Sequence, residues 1–250
     1  MLASTHPLAG SDVGPGPTGR LNRVTALDAG PVGALKIAPS ILAADFGSLA
    51  RAVAEIDHET DWLHVDMMDG HFVPNVSIGP PVVRSLRPYS DRFFDCHLMM
   101  SEPGRYLAAF VRAGADGCTV HVEVGDSAAL IAQARDLGLR VGLAANPDTD
   151  FAAVAPFLAD IDLLLLMTVF PGFGGQSFIP EVMDKVREAR RVVDARGLAL
   201  DIEVDGGIDV NTAPVAVAAG ANVLVAGSAI FARADPLEAA RELRAAAGGR

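Results

Sequence analysis

The chain is poor in cysteine, in aromatic residues and in clustered positive charge. Its 250 residues include 2 cysteines, Cys96 and Cys118, which lie in apolar segments without a spacing typical of a disulfide. Two such thiols indicate the reducing cytoplasm. Lys and Arg number 20 against 31 Asp and Glu, so the net charge is −11, and no basic run stands out. A nucleic-acid partner is therefore not expected, because neutralising phosphates requires a basic surface.

Long hydrophobic runs are also absent. No apolar run reaches the roughly 18 residues that a membrane-spanning helix needs, so we expect no membrane partner. The longest run, residues 161–167, contains Asp162 and is predicted to be a buried strand. The negative net charge would repel a phosphorylated small molecule at long range. A phosphate site would therefore have to be built locally from backbone N–H groups.

Residues 1–34 differ in composition from the rest of the chain. They are rich in Gly, Pro, Ser and Thr, have no sustained periodicity, and lack the charged start and apolar middle of a signal peptide. We expect either a disordered N-terminal extension or a start codon assigned too far upstream. Residues 35–250 are predicted to form a single domain.

From residue 35 onward, apolar segments alternate with segments of helical periodicity. The predicted strands are 35–38, 62–66, 92–98, 117–122, 140–144, 161–167, 199–204 and 223–226, and the predicted helices are 46–56, 79–86, 104–113, 128–137, 151–157, 180–195, 212–218 and 236–246. Eight such units in about 215 residues predict an α/β fold, the TIM (β/α)8 barrel. An open doubly wound sheet is the alternative, but its first turn is usually rich in glycine, where this chain reads PSILAADFG.

Polar residues follow the predicted strands at their carboxyl ends, where barrels of this kind carry their chemistry. They are Ser40, His64, Asp66, Asp95, His97, His121, Glu123, Asn146, Thr168, Glu203, Asp205 and Ser228. His64 and Asp66 lie two residues apart on one strand, so both point to the same face. With His97 and Asp205 they offer two imidazoles and two carboxylates, which suit Zn²⁺ and also Fe²⁺, Mn²⁺ or Co²⁺. Asp95 shares a face with His97 and is either an outer partner of such a site or structural.

Glycines form a second group at the same strand ends. PGFGGQ at residues 171–176 follows the sixth strand, DGG at 205–207 ends the seventh, and Gly227-Ser228 ends the eighth. Barrels often bind phosphate in this region through backbone N–H groups, which glycine allows to approach closely. Methionines near three strand ends either pack in the core or line a cavity with polarisable groups. These are Met68, Met99 and Met167.

Six motifs, in order along the chain, resemble the ribulose-phosphate 3-epimerase family. They are APSILAADF (38–46), HVDMMDGHFVPN (64–75), DCHLMM (95–100), MTVFPGFGGQ (167–176), EVDGGI (203–208) and VLVAGSAIF (223–231). The resemblance spans residues 35–244. It implies a TIM barrel isomerase of the pentose phosphate pathway that interconverts D-ribulose 5-phosphate and D-xylulose 5-phosphate with one divalent metal cation, Zn²⁺ in the first place. It also implies a phosphorylated ketose as the partner and a cytoplasmic homo-oligomer.

The resemblance assigns roles by position. It implies a metal site made of His64, Asp66, His97 and Asp205, in which Asp66 also accepts a proton and Asp205 donates one. It implies substrate contacts by Ser40, His97, Gly172, Phe173, Gly174, Gly175, Gly206, Gly207, Gly227 and Ser228, with Met68, Met99 and Met167 lining the cavity. Epimerisation at C3 by 1,1-proton transfer through a metal-stabilised cis-enediolate needs a base on one face and an acid on the other.

The chain departs from the family pattern at two places. Phe170 stands where a polar or acidic residue is commoner, and Ala144–Pro147 reads AANP in place of ALNP.

Three other functions are alternatives to the pentose epimerase. A D-allulose 6-phosphate 3-epimerase would use the same chemistry on a six-carbon substrate. A barrel decarboxylase or synthase would carry a lysine among the acids of the second strand, and HVDMMDG has none. A binding module without catalysis would not need two opposed carboxylates.

Overall fold

Eight parallel strands form the centre of the fold. A computed structural model describes residues 29–248, and the prediction for residues 1–28 lies outside the described residues. The strands are β1 (Lys36–Pro39), β2 (Trp62–Met68), β3 (Phe93–Met99), β4 (Gly117–His121), β5 (Arg140–Ala145), β6 (Leu163–Met167), β7 (Asp201–Asp205) and β8 (Val223–Ala226). Nearly every strand residue is buried. Such continuous apolar strands are expected where both faces of a sheet are covered.

The sheet closes into a barrel. The strand order is β1-β8-β7-β6-β5-β4-β3-β2, with each neighbouring pair parallel. β1 and β2 meet through a parallel bridge between Ser40 and His64, and Asp61 N–H donates to the Ile37 carbonyl at 3.0 Å. The predicted (β/α)8 barrel is confirmed, and the open sheet is not observed. The carboxyl ends of the strands consequently face one another around a single mouth.

Helices cover the outside of the barrel. They are α1 (Leu49–Ile56), α2 (Pro80–Leu86), α3 (Leu107–Ala113), α4 (Ser127–Asp136), α5 (Val182–Arg196), α6 (Ala213–Ala219), α7 (Ser228–Phe231) and α8 (Pro236–Ala246). Their inner faces pack on the outward side chains of the strands in one large apolar cluster. Within the described residues, no helix is long and apolar enough to cross a membrane.

The helices differ most from the prediction at two places. The predicted helix 151–157 is instead two 3₁₀ turns, Phe151–Ala153 and Ala155–Phe157. Pro156 explains this, because proline has no N–H for an α-helical bond and its ring clashes with the preceding turn. The short helix α7 was not predicted. It begins directly after Gly227, at the end of β8.

Residues 29–34, which precede the predicted domain boundary at residue 35, contact the starts of the strands. Ala29 is buried and its carbonyl accepts a hydrogen bond from Trp62 Nε1 at 3.0 Å. Lys36 Nζ pairs with Asp201 Oδ1 at 2.9 Å inside the same end of the barrel. A buried lysine requires such a partner. This segment therefore closes the floor of the barrel, opposite the polar strand ends.

Candidate metal centre and active site

Two histidines and two aspartates converge at the mouth of the barrel. His64 and Asp66 come from β2, His97 comes from β3 and Asp205 ends β7. The parallel register places His97 directly beside Asp66. Because side chains alternate along a strand, the spacing of two between His64 and Asp66 turns both into the barrel. The structure thus brings together the residues that the sequence predicts as metal ligands.

Four donor atoms form a compact group, which we call the four-atom cage. Its atoms are His64 Nε2, His97 Nδ1, Asp66 Oδ1 and Asp205 Oδ2. His64 Nε2 lies 3.4 Å from His97 Nδ1. Asp66 Oδ1 lies 3.3 Å from His64 Nε2 and 3.0 Å from His97 Nδ1. Asp205 Oδ2 lies 3.9 Å from His64 Nε2 and 3.8 Å from His97 Nδ1.

The cage has the dimensions of a metal site. Bonds of about 2.0–2.2 Å in a tetrahedral zinc site place neighbouring ligand atoms about 3.3–3.6 Å apart. The measured separations of 3.0–3.9 Å lie around this range. Imidazole nitrogens with carboxylate oxygens are donors that Zn²⁺, Fe²⁺, Mn²⁺ and Co²⁺ accept. The residues present therefore fit a divalent cation.

Two hydrogen bonds orient the cage residues from behind. His64 Nδ1 lies 2.7 Å from Asp95 Oδ2, and Thr119 Oγ1 donates to the other oxygen of Asp95 at 3.1 Å. A proton on His64 Nδ1 leaves Nε2 unprotonated and aimed into the cage. Ser40 Oγ donates to Asp66 Oδ2 at 2.5 Å, which leaves Oδ1 for the cage. The sequence left open whether Asp95 is an outer partner of the site or a structural residue. The structure shows that Asp95 is a hydrogen-bond partner of His64.

Glu203 is a buried residue to which the sequence assigned no role. It is fully buried, and neither of its carboxylate oxygens has a hydrogen-bond partner among residues 29–248. Its Oε1 lies 3.5 Å from His64 Nδ1. Burial and the charge of Asp95 raise the pKa of Glu203 well above its ordinary value. Glu203 lies two residues before Asp205, which puts both side chains on the inner face of β7. This spacing is the sequence signal from which an inward-facing Glu203 could have been predicted.

The two cage aspartates differ in their proton affinity. Burial raises the pKa of Asp66, but the charges and hydrogen bonds of His64 and His97 outweigh it and hold this pKa well below the ordinary range. Burial and the negative charge of Asp66 raise the pKa of Asp205 to about 7. The site therefore pairs an ionised carboxylate with a carboxyl group that retains a proton near neutral pH, and their titrations are coupled.

The two cage histidines also differ. Burial lowers the pKa of His97 to about 4, in spite of its hydrogen bond to Asp66. Burial lowers the pKa of His64 too, but Asp66 and Asp95 raise it well above 6.5. A neutral His97 is ready to act as a ligand, whereas a metal would have to displace a proton from His64.

A cavity of about 490 Å³ lies above the cage. Fourteen of the sixteen predicted site residues line it: Ser40, Asp66, Met68, Met99, Met167, Gly172, Phe173, Gly174, Gly175, Asp205, Gly206, Gly207, Gly227 and Ser228. The other two, His64 and His97, are fully buried beneath its floor. The volume lies within the range of small-molecule sites. The structure thus brings all sixteen to one place, while their individual roles stay predictions.

Two glycines at the end of β7 are required by close packing. A Cβ on Gly206 would lie 2.8 Å from the Val169 backbone nitrogen, and one on Gly207 would lie 2.5 Å from the Phe178 backbone nitrogen. Both glycines have positive φ, +122° and +65°. Any larger residue would force the loop after β7 away from the loop after β6. By contrast, an added Cβ on Gly174 would meet nothing within 4 Å.

The loop between β6 and α5 forms one wall of the cavity. Asn75 Nδ2, in the loop after β2, donates to the Gly172 carbonyl at 2.8 Å. Gln176 Nε2 donates to the carbonyls of Phe170 and Phe173 at 2.6 and 2.9 Å. Phe170, which departs from the family pattern, is 50% exposed. The Asn75 contact was not predicted, because it joins segments that lie far apart in the chain.

The comparisons with known proteins place this barrel among the epimerases, which are enzymes of the isomerase class. The chain belongs to the ribulose-phosphate 3-epimerase family, whose family model matches residues 36–231. It is 46% identical over 213 residues to ribulose-phosphate 3-epimerase of Bacillus subtilis, covering 84% of this chain and 98% of that one. It is 46% identical over 225 residues to the cytoplasmic isoform of Oryza sativa, with 86% and 96% covered. The resemblance seen in the sequence is confirmed.

A similar solved structure belongs to a different enzyme. A 3-hexulose-6-phosphate synthase superposes with a TM-score of 0.66 at 22% identity, covering 85% of this chain and 99% of that one. Likeness at this identity shows the shared barrel fold alone. The sequence argument against a synthase, the absence of lysine from HVDMMDG, therefore keeps its weight.

Proposed function

We propose that this enzyme interconverts D-ribulose 5-phosphate and D-xylulose 5-phosphate, with Asp66 as proton acceptor and Asp205 as proton donor. The observation that carries the proposal is the pair of carboxyl groups that reach one cage from β2 and β7 with opposite pKa directions. The names of relatives 46–48% identical to the chain support the five-carbon substrate. They do not favour D-allulose 6-phosphate, the six-carbon alternative.

The chain's own residues would divide the proton transfer between them. Asp66 takes the proton from C3 on one face of the sugar, while Ser40 holds the carboxylate through its 2.5 Å hydrogen bond. Asp205 gives its proton to C3 on the opposite face, which inverts that carbon. One proton leaves and one arrives, so the reverse reaction exchanges the two roles. Met68, Met99 and Met167 line the cavity with apolar surface that excludes water from the reacting carbon.

A divalent cation in the four-atom cage completes the proposal, with Zn²⁺ in the first place and Fe²⁺, Mn²⁺ or Co²⁺ as alternatives. Its ligands would be His64, Asp66, His97 and Asp205, and the donor separations support this choice. When bound, the cation would act as a Lewis acid that stabilises the negative charge of the enediolate. Asp95 would fix His64 in the tautomer that offers Nε2.

The phosphate group would bind between the loops after β6, β7 and β8. Ser228 begins α7, so the first N–H groups of that helix have no preceding helical carbonyl to bond. Gly174, Gly175 and Gly207 line the cavity, and an added Cβ on Gly174 or Gly175 would meet nothing within 4 Å. Such N–H groups can bind an anion although the chain as a whole carries a charge of −11.

We also propose a cytoplasmic homo-oligomer. The two cysteines are free and buried, as is usual in a reducing compartment. The rice relative is named a cytoplasmic isoform, which agrees with this placement. The oligomer is proposed from the family resemblance, and size-exclusion chromatography with light scattering would measure the number of subunits.

Substrate kinetics test the proposed function. We expect kcat/KM of the Zn²⁺-loaded enzyme to be higher for D-ribulose 5-phosphate than for D-allulose 6-phosphate by about 10- to 200-fold, the usual effect of one surplus carbon unit in a closed pocket. Equal values, or a preference for the six-carbon sugar, would contradict the assignment. Absence of turnover on both sugars after loading with Zn²⁺, Fe²⁺, Mn²⁺ or Co²⁺ would reject the epimerase proposal.

A further inference from the structure

A row of three polar side chains runs outward from the four-atom cage. His97 Nε2 lies 2.8 Å from His121 Nε2, and His121 Nδ1 lies 3.1 Å from Glu123 Oε2. Both histidines are fully buried, whereas the Glu123 side chain is 22% exposed. His121 ends β4 and Glu123 follows two residues later. The row therefore leads from a cage ligand to the edge of the barrel mouth.

The hydrogen atoms of this row have one consistent arrangement. His97 turns Nδ1 into the cage, 3.0 Å from Asp66 Oδ1, so this nitrogen must be unprotonated to bind a cation. The proton of neutral His97 then resides on Nε2 and is donated to His121 Nε2. His121 must in turn carry its own proton on Nδ1, which it donates to Glu123. A carboxylate, which only accepts, thus sets the tautomer of both rings.

The outer end of the row is held in place on two sides. Glu123 Oε1 accepts hydrogen bonds from Asn146 N–H at 2.8 Å and from Thr149 Oγ1, in the loop after β5. Its other oxygen is left for His121. Phe72 packs on the His121 ring, with 4.6 Å between ring centroids. The His121 ring is therefore fixed by packing as well as by hydrogen bonding, and so can position His97.

We propose that His121 and Glu123 are positioning residues that orient His97 and fix the tautomer in which Nδ1 binds the metal. They serve His97 as Asp95 serves His64, so each cage histidine has a buried partner on its outer nitrogen. Neither residue lines the substrate cavity. The inference rests on the proposed role of His97 as a ligand.

Three variants test the inference through metal affinity. His121→Phe keeps a ring beside Phe72 but cannot accept the His97 hydrogen bond. His121→Gln offers an amide oxygen in its place, and Glu123→Gln weakens the acceptor for His121. Each metal-free variant is titrated with Zn²⁺ against a chromogenic chelator, and His58→Gln, an exposed histidine outside the site, is the matched control.

We expect His121→Phe to raise the Zn²⁺ Kd by about 10- to 100-fold, the usual cost of losing an outer partner of a ligating histidine. His121→Gln should recover most of this loss, Glu123→Gln should show a smaller loss in the same direction, and His58→Gln should match the parent. The visible absorption of the Co²⁺-loaded protein should change in His121→Phe and be retained in His121→Gln. A purely structural role for the ring would affect thermal stability instead, without this order of affinities.

The contrary outcomes are distinct. A folded His121→Phe variant that binds Zn²⁺ as tightly as the parent overturns the inference. If circular dichroism shows that this variant does not fold, Glu123→Gln decides, and an unchanged Kd overturns it. If the parent binds no Zn²⁺, or if His97→Ala binds it as tightly as the parent, the proposed metal site itself has failed, and the inference with it.

Discussion

Asp66 and Asp205 share a cage, yet their surroundings give them opposite proton affinities. Asp66 lies between two imidazoles and accepts a hydrogen bond from Ser40, so its charged form is stabilised. Asp205 ends its strand with 16% of its side chain exposed and faces the charge of Asp66. One site therefore offers a base and an acid at the same pH, which is what inversion of a carbon centre requires.

Removing either carboxyl group should stop proton transfer while the barrel remains folded. We expect Asp66→Asn and Asp205→Asn each to lower kcat by at least about 100-fold, since general acid–base groups contribute about 10²- to 10⁴-fold. NMR in D₂O would follow solvent deuterium entering C3, and a coupled assay would follow turnover. Asp136→Asn, on the exposed end of α4, is the control with the same chemical change. Full turnover by either site variant would contradict the two-base mechanism.

A single methyl group at Gly207 should destabilise the fold. The new Cβ would lie 2.5 Å from the Phe178 backbone nitrogen, at a φ of +65°. Overpacking costs about 1–3 kcal/mol and the left-handed conformation about 1–2 kcal/mol, so we expect Gly207→Ala to lose about 2–5 kcal/mol of unfolding free energy in urea. Gly174→Ala, with open space around its Cβ, should unfold like the parent. Equal stability of the two variants would refute the packing argument.

At the scale of elements, the sequence predicted every strand because each is a short apolar run between polar turns. Two elements were missed for local reasons. Residues 151–157 have helical spacing of apolar side chains, but Pro156 restricts them to 3₁₀ turns. α7 has only four residues, Ser228–Phe231, too few to show a period. Residues 29–34 carry no periodic pattern, so their contacts with the strand starts could not be predicted.

The hydrogen bond from Asn75 to Gly172 ties the loop after β2 to the loop after β6. Removing it should loosen the cavity wall without touching the cage, so Asn75→Ala should raise KM and leave kcat nearly unchanged. The loss of one hydrogen bond, about 0.5–1.5 kcal/mol, corresponds to a rise in KM of about 2- to 10-fold. Gln133→Ala removes a comparable bond, Gln133 Nε2 to the Gly104 carbonyl, away from the cavity and is the control. A fall in kcat with constant KM would assign Asn75 a different role.

At the scale of the whole molecule, the site was predictable where its residues stand in recognisable motifs. His64, Asp66, His97 and Asp205 were identified in this way, and the barrel's symmetry implied that their strand ends meet. Apart from Asp95, their partners were not assigned, because contacts such as His64 with Glu203 and His97 with His121 depend on the register of strands across the interior. Spacing along one strand identifies which residues face inward. It does not identify which of them touch.

Because the cage residues come from β2, β3 and β7, a bound cation would tie distant parts of the chain together. Free Zn²⁺ at 1,000 times its Kd would stabilise the folded state by about 4 kcal/mol. For a chain of this size that corresponds to a rise in Tm of about 8–16 °C. Thermal unfolding of metal-free and Zn²⁺-loaded protein would measure it, and chelation should abolish both the rise and the activity. A fully active protein shown by elemental analysis to hold no metal would contradict the assignment.

The stabilisation by Zn²⁺ should also shrink as the pH falls. His64, with a pKa raised well above 6.5, holds a proton in the metal-free protein that the cation must displace. Below this pKa protons compete with the metal, and displacing one proton weakens binding by about 1.4 kcal/mol per pH unit. At constant total Zn²⁺, the difference in Tm between loaded and metal-free protein should therefore be smaller at pH 6 than at pH 7.5. Calorimetric titration in buffers of different ionisation enthalpy should detect the released protons. A Tm difference that does not change with pH, and binding without proton release, would show that His64 does not bind the metal.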